Sequence, residues 1–220
     1  MKINIVMNEN PQDDPYGSNE SKTVSSQDKK PEKDSAYYCA QDFTILLRTA
    51  QSLAQTGWYY GHFTMKEAGL LLRKEPAGTF LIRDSSDSKC LYSLSVRTKR
   101  DVTNVRILYS RGMFQLTSDE RSSGRIPKFD NAVSLIDFYA RMIRMGKADK
   151  IVGTSGKRAS TLVLQKPKPS CVLDLKHLCR LSINRNLPLT RSRTKVLNNM
   201  DKLPVPKPIK SYLKEYPYIF

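Results

Sequence analysis

The chain holds little that metal or disulfide chemistry could use. Its 220 residues include four cysteines, two histidines and one tryptophan. Cys39, Cys90, Cys171 and Cys179 lie far apart and form no CxxC pair. That spacing argues against a zinc site and a disulfide framework, and it fits reduced thiols in the cytosol. His62 and His177 have no evident partner set and read as structural or exposed. No Gly-rich phosphate loop, metal-ligand cluster or nucleophile triad is present, so no enzyme activity, metal or cofactor is expected. No run approaches the ~20 apolar residues of a membrane span. The apolar patch in MKINIVMNENP is too short for the central region of a signal peptide. These absences predict a cytoplasmic, non-catalytic protein with no membrane insertion.

Acid is also scarce, and the formal net charge is +16. Seven acids fall within the first 36 residues, which leaves the remainder more basic than the whole. Such a balance admits a solvated basic face, nucleic acid, an anionic membrane surface or a phosphorylated protein. No nucleic-acid motif accompanies the charge, so no nucleic-acid partner is expected.

Residues 1–36 are polar and cannot bury enough surface to offset ordering entropy, which predicts a disordered N-terminal region over 1–41. Order is expected from Asp42, a candidate cap for a helix carrying Phe43, Leu46, Leu47, Ala50, Leu53 and Ala54. After the aromatic Trp58-Tyr59-Tyr60-Gly61, Thr64 and Glu67 form a capping-box pattern ahead of Ala68, Leu71 and Leu72. Strand-like segments follow at Thr79–Asp84, Leu91–Thr98, Thr103–Tyr109 and Met113–Leu116. Residues 131–139 read as a second helix and Thr161–Leu164 as a last strand. Helix, antiparallel strands, helix, strand predicts an α+β fold with helices packed on a meander-like sheet.

The segment 172–220 differs. Asp174 can cap a helix, Arg185–Asn199 reads as a basic polar stretch, Leu203-Pro204-Val205-Pro206 as stiff and extended, and Ile209–Tyr218 as a short aromatic helix. Fewer than fifty residues make a poor independent core, so this segment should pack on the first domain or be completed by another protein.

Arg83 raises the sharpest question. Alternation places it on the face of Leu81, opposite Phe80 and Ile82. With both faces covered it is a guanidinium at the edge of a core, and a buried charge needs a partner. Its neighbour Asp84 should point to the opposite face, so the missing anion could come from outside the chain.

GWYYG, the capped helix, GTFLIRDSS and TNVRI together resemble a Src-homology-2 (SH2) domain. DLKHLCRLSI with LPVP resembles a SOCS box, and the pair resembles the suppressor of cytokine signalling family. SLIDFY and YLKEYPYIF are most similar to the branch of the cytokine-inducible SH2-containing protein. The resemblance implies a central antiparallel sheet flanked by two helices at 58–166, preceded by an extension helix at 42–57 and followed by a small α-helical SOCS box at 172–220. It implies a phosphotyrosine pocket made by Arg83, Ser85, Ser86, Ser93 and Arg106. Many SH2 domains carry a second arginine near the start of the first helix. Met65 stands there, beside Lys66, which leaves Arg106 as the candidate second charge. The resemblance further implies that Leu175, Cys179 and Ile183 bind elongin C, with elongin B, and that Leu203, Pro204, Val205 and Pro206 select a cullin-5 scaffold. Asp174 replaces the Ser, Thr, Ala or Pro usual before that leucine.

The function so implied is a substrate-recognition adaptor of an elongin/cullin-5 ubiquitin ligase, giving negative feedback on cytokine receptor (JAK-STAT) signalling. Its targets would be tyrosine-phosphorylated receptors or associated kinases. The alternative is a non-degradative competitive blocker of receptor phosphotyrosine sites. The kinase-inhibitory segment that some relatives carry is not recognisable in KKPEKDSAYYCAQ.

Overall fold

Phe80-Leu81-Ile82 is apolar on both sides, and both sides are covered. In the computed structural model, which describes residues 2–6, 32–117, 126–146, 149–155 and 158–220, this run lies in β2 (Thr79–Asp84). Side chains are described over 40–117, 126–146 and 163–220. Strand β2 pairs antiparallel with β3 (Cys90–Arg97), which pairs with β4 (Val102–Ser110), which pairs with β5 (Met113–Leu116). A two-residue parallel strand, β8 (Lys166–Pro167), completes the order β5-β4-β3-β2-β8. A smaller sheet joins β1 (Lys2–Val6), β6 (Asp149–Ser155) and β7 (Arg158–Leu162).

Helix α2 (Met65–Arg73) covers one face of the main sheet, with Ala68 and Leu72 against Leu81. Its capping box forms: Thr64 Oγ1 accepts from Glu67 N (3.2 Å), and Glu67 Oε2 accepts from Thr64 N (2.8 Å). The other face carries Phe80, Ile82, Leu94, Val96, Val105 and Ile107. Against it lies α3 (Ala132–Arg144), whose Val133, Ile136, Tyr139 and Ala140 are buried. Asn131 caps α3 through Val133 N (2.8 Å), and its amide donates to Ser52 Oγ (3.0 Å) of α1 (Glu32–Thr56).

Helix α1 begins ten residues before Asp42. Asp42 is therefore not a cap; its carboxylate accepts from Tyr109 Oη of β4 (2.7 Å). The stripe read on this helix divides, since Leu53 is buried while Phe43 and Leu47 stay exposed. Disorder expected over the N-terminal region falls largely outside the described residues. Within it, Lys2–Val6 is a strand and the helix from Glu32 is described.

The C-terminal segment packs on the first domain. It holds α4 (Leu175–Asn186), α5 (Arg193–Asp201) and α6 (Lys207–Glu215). Helix α5 lies within the stretch read as basic and polar. Ser192 caps it, and Val196 and Met200, four apart, bury against Leu187 and Leu213. Leu203–Val205 is bent and not extended: Leu203 N donates to Met200 O, and Val205 N donates back to Leu203 O (2.9 Å). The aromatic helix stops at Glu215, because Pro217 disfavours helical geometry at Tyr216. The tail then enters the main core, where Phe220 meets Phe80 edge-on at 5.3 Å.

Buried polar pairing fixes that docking. Asp137 accepts from Arg141 Nε (2.6 Å) and from Ile219 N (2.8 Å), and Arg141 Nη2 donates to Pro217 O (3.1 Å). Ser134 and Tyr218 hydroxyls lie 3.0 Å apart, and Arg185 Nε donates to Ile219 O (2.7 Å).

Gly57 is the tight point of the junction. Its φ is +70°, Ser170 N donates to its carbonyl, and an added Cβ would lie 2.5 Å from Leu173 Cδ2. Gly57→Ala is expected to destabilise the fold by about 1–3 kcal/mol from backbone strain alone. Gly57→Ala/Leu173→Ala should recover the clash component only. Thermal denaturation of the three proteins measures both parts.

Candidate functional site

Register sets Arg83, Ser93 and Arg106 side by side across β2, β3 and β4, and one row further in it sets Leu81, Ser95 and Asn104. All point to the face covered by α2. Arg83 is only 4% exposed, yet no carboxylate among the described residues meets its guanidinium. Nε donates to Ser95 Oγ (3.2 Å), Nη2 to Asn104 Oδ1 (3.3 Å) and Nη1 to the Asp84 carbonyl (3.0 Å). The Ser95 hydroxyl donates to the same Asn104 oxygen at 2.6 Å, which fixes the acceptor pair. Asp84 turns its carboxylate to the opposite face, where Tyr59 Oη donates to it and His62 Nδ1 lies 2.9 Å away. Burial lowers the Arg83 pKa from its usual value, and the Asp84 charge opposes this. The result is a desolvated cation held by neutral dipoles, with its approach direction fixed before any ligand arrives.

Around it the candidate residues differ in readiness. Ser93 is buried between the two arginine strands. Ser86 is exposed. Ser85 Oγ accepts from Asp87 N (3.1 Å), while Ser85 N is committed to Leu91 O, so this amide is not available to an anion. Arg106 Nε pairs with Asp87 Oδ2 at 3.2 Å on a half-exposed surface. Such pairs contribute at most about 1 kcal/mol, so a stronger anion can displace Asp87. Met65 and Lys66 are exposed in the first turn of α2.

A second surface lies on α4. Asp174 caps it by accepting from His177 N. Leu175 is 76% exposed and Cys179 is exposed one turn on. Ile183, a further turn on, is half-buried beside Leu187, Val196 and Met200. It lines a shallow groove with Ser182, Asn186, Leu187 and Leu203, which brings the first predicted face to the start of Leu203-Pro204-Val205-Pro206. Pro204 and Pro206 are exposed and Val205 is half-buried. The opposite side of α4 buries His177, Arg180, Leu181 and Asn184. Arg180 stacks 4.2 Å from the Tyr212 ring, and Asn184 Nδ2 donates to the Tyr216 and Tyr218 carbonyls.

Family models match in two places: the SH2 domain over residues 58–139 and the SOCS box over 171–214. Suppressor of cytokine signaling 2 of Rattus norvegicus is 40% identical over 79% of this chain and 81% of its own. Suppressor of cytokine signaling 3 of Gallus gallus is 35% identical over 80% and 84%. The chain belongs to the suppressor of cytokine signalling family. The cytokine-inducible SH2-containing protein of Gallus gallus is 34% identical over 81% of this chain and 73% of its own. That is compatible with the branch the motifs suggested, although identity to suppressor of cytokine signaling 2 is higher.

The matched SH2 window contains all five pocket candidates, and the SOCS-box window contains Leu175 through Pro206. The tail Pro217–Phe220 lies outside both, yet it is buried in the SH2 core. Ser95 and Asn104 were missed as site residues. Alternation carried the signal: each sits two positions from a chosen residue on the same face. Among the described residues no group of three or more His, Cys, Asp or Glu could hold a metal ion, and no helix is long and apolar enough to cross a membrane.

His177 supplies a pH test of the SOCS-box interior. Burial first, then the Arg180 charge, lowers its pKa from 6.5, against Asp174. Its Nδ1 lies 2.6 Å from Arg180 Nη2, so the folded state favours neutral imidazole. The unfolded chain takes up a proton near pH 6.5 while the folded chain resists. The contribution is full above that pH and declines below it, by at most about 1.4 kcal/mol per pH unit. The melting temperature should fall on acidification from pH 7 to 5.5, and His177→Gln should flatten that slope.

Proposed function

We propose that this chain is a non-catalytic, phosphotyrosine-reading adaptor that brings an elongin/cullin-5 ubiquitin ligase to activated cytokine receptors or their kinases. The observation that carries the reading is Arg83: a buried guanidinium whose described acceptors are all neutral. Phosphotyrosine supplies nearly two negative charges and three acceptor oxygens. An arginine fork can engage two of them at once, whereas an ammonium acts as a point charge. Ser93 and Arg106 flank the fork, Ser85 and Ser86 follow it in the turn, and Ser95 with Asn104 aims it.

The SOCS box supports the second half. Leu175 and Cys179 offer apolar groups to a partner where an intramolecular role would bury them. We assign this face to elongin C, with elongin B in the same complex, and assign Leu203, Pro204, Val205 and Pro206 to the cullin. The adaptor acts by effective concentration, holding ligase and captured protein on one body.

Two experiments test the halves separately. Calorimetry with a tyrosine-phosphorylated receptor peptide should show binding that its unphosphorylated form lacks. Arg83→Lys should weaken it about 10–100-fold, the worth of one charge-assisted bond of about 1.5–3 kcal/mol. Matched affinity for both peptides rejects the pocket. Pull-down of elongin C from lysate should fail with Leu175→Ser/Cys179→Ser while phosphopeptide binding persists; equal recovery rejects the ligase role. Point variants are required here because deleting 172–220 would remove Tyr218, Ile219 and Phe220 from the SH2 core. Full suppression of receptor signalling by the elongin-defective variant would favour competitive blocking.

A further inference from the structure

The seam between the SH2 domain and the SOCS box forms an open cleft of about 370 Å³, within the range of roughly 300–1,000 Å³ usual for small-molecule sites. One wall is Thr56, Gly57 and Trp58 with Arg144 from the end of α3; the other is Leu178, Leu181 and Arg185 of α4 with Phe220. The link Gln165–Pro169 contributes Lys166 at the edge. The lining has a strong charge asymmetry. It contains Arg144, Arg185 and Lys166 and, among the described residues, no Asp or Glu side chain.

Neither arginine is neutralised there. Arg144 lies with its guanidinium carbon 5.0 Å from the Phe220 ring centre, and no carboxylate among the described residues pairs with it. Arg185 spends Nε on Ile219 O, and no described partner takes its two terminal nitrogens. Burial and the charges of Arg185 and Arg141 all disfavour the Arg144 cation, with Asp137 opposing. The floor is aromatic: Trp58 meets Phe80 and Phe80 meets Phe220, each edge-on at 5.3 Å. Trp58 is 2% exposed, and its indole N–H has no hydrogen-bond partner among the described residues. The cleft thus sets solvent-exposed, unpaired cations and one buried, unmet donor beside apolar walls. An anion with an apolar body complements both the cations and the apolar walls, whereas a cation or a bare polar solute does not.

We infer that this interdomain cleft is a binding site for a small amphipathic carboxylate, with its acid group between Arg144 and Arg185 and its alkyl or aryl portion against Trp58, Leu178, Leu181 and Phe220. The site is separate from both proposed partner surfaces. Arg83 lies on the face covered by α2, opposite the core that holds Phe220. On α4, Leu178, Leu181 and Arg185 follow i, i+3, i+7 spacing, on a different stripe from Leu175, Cys179 and Ile183. Because its two walls come from different modules, an occupant would hold the SOCS box against the SH2 domain.

Trp58 is the chain's only tryptophan and lines the cleft, so its emission is a local reporter. Octanoate, titrated into the full chain, should change Trp58 emission saturably and raise the melting temperature. Octylammonium, with the same chain length and the opposite charge, should do neither. 3-Phenylpropanoate separates an aryl preference from an alkyl one, and a saturable response to either carboxylate supports the site. Arg144→Gln should weaken carboxylate binding at least 10-fold and leave phosphopeptide affinity within two-fold. Leu178→Phe, which narrows the cleft from the other wall without removing charge, should weaken it as well. Silence toward both carboxylates, an equal response to octylammonium, or unchanged binding in both variants overturns the inference.

Discussion

A buried cation whose described hydrogen-bond acceptors are all neutral constrains the whole first domain. Arg83 is tolerated because β2, β3 and β4 hold Ser95, Asn104 and the Asp84 carbonyl in bonding position around it. That arrangement requires the antiparallel register, and the register in turn is fixed by the apolar face on the other side. A slip of one residue would carry Phe80 and Ile82 out of the core and Arg83 into it. The packing that stabilises the sheet is therefore what orients the guanidinium. Asp84, the adjacent acid, is kept from neutralising it by the same alternation, with Tyr59 and His62 as its partners instead.

A second buried charge ties the modules together. Asp137 on α3 takes bonds from Arg141 and from the Ile219 amide. Burial raises its pKa above the usual carboxylate value, and the Arg141 pairing works against that shift. A buried pair of this kind contributes little net stability, but removing one partner is strongly destabilising. Its effect here is on geometry: it specifies where the tail enters. The tail then places Tyr218, Ile219 and Phe220 beneath the sheet. The SOCS box consequently has two cores, a small one of its own around Met200 and a share in that of the SH2 domain.

What could be read from the sequence was local. The Thr64–Glu67 box, the Asp174 cap and the strands from Thr79 to Leu116 depend on neighbours within a few residues, and the structure has them. Arg83's face followed from alternation alone. The misreadings share a different cause. Asp42 looks like a cap until Tyr109, 67 positions later, takes its carboxylate. Helix α5 has Val196 and Met200 buried and Leu197 packed beside them, too few to stand out among basic residues. Leu203–Val205 bends because Met200 and Leu203 offer carbonyls that a pattern of prolines does not reveal. Ser95 and Asn104 acquire meaning only once register sets them beside Arg83.

The same distinction separates sequence modules from physical units. The two family matches stop at residues 139 and 214, with a gap between them and a tail beyond. Packing ignores those limits: Leu164 and the residues from Tyr218 to Phe220 share a core with Phe80 and Ile136. An SH2 domain cut at residue 139 would expose the Phe80 face and strip Asp137 of both Arg141 and the Ile219 amide that complete its bonding. Loss of peptide binding in such a fragment would therefore report unfolding as readily as a missing contact. The joined core also means that a change at the seam, whether a substitution at Gly57 or an occupant beside Trp58, acts on the mutual orientation of the two modules. Under the adaptor role proposed above, in which one protein is held at a fixed reach from another, that orientation is the functional variable.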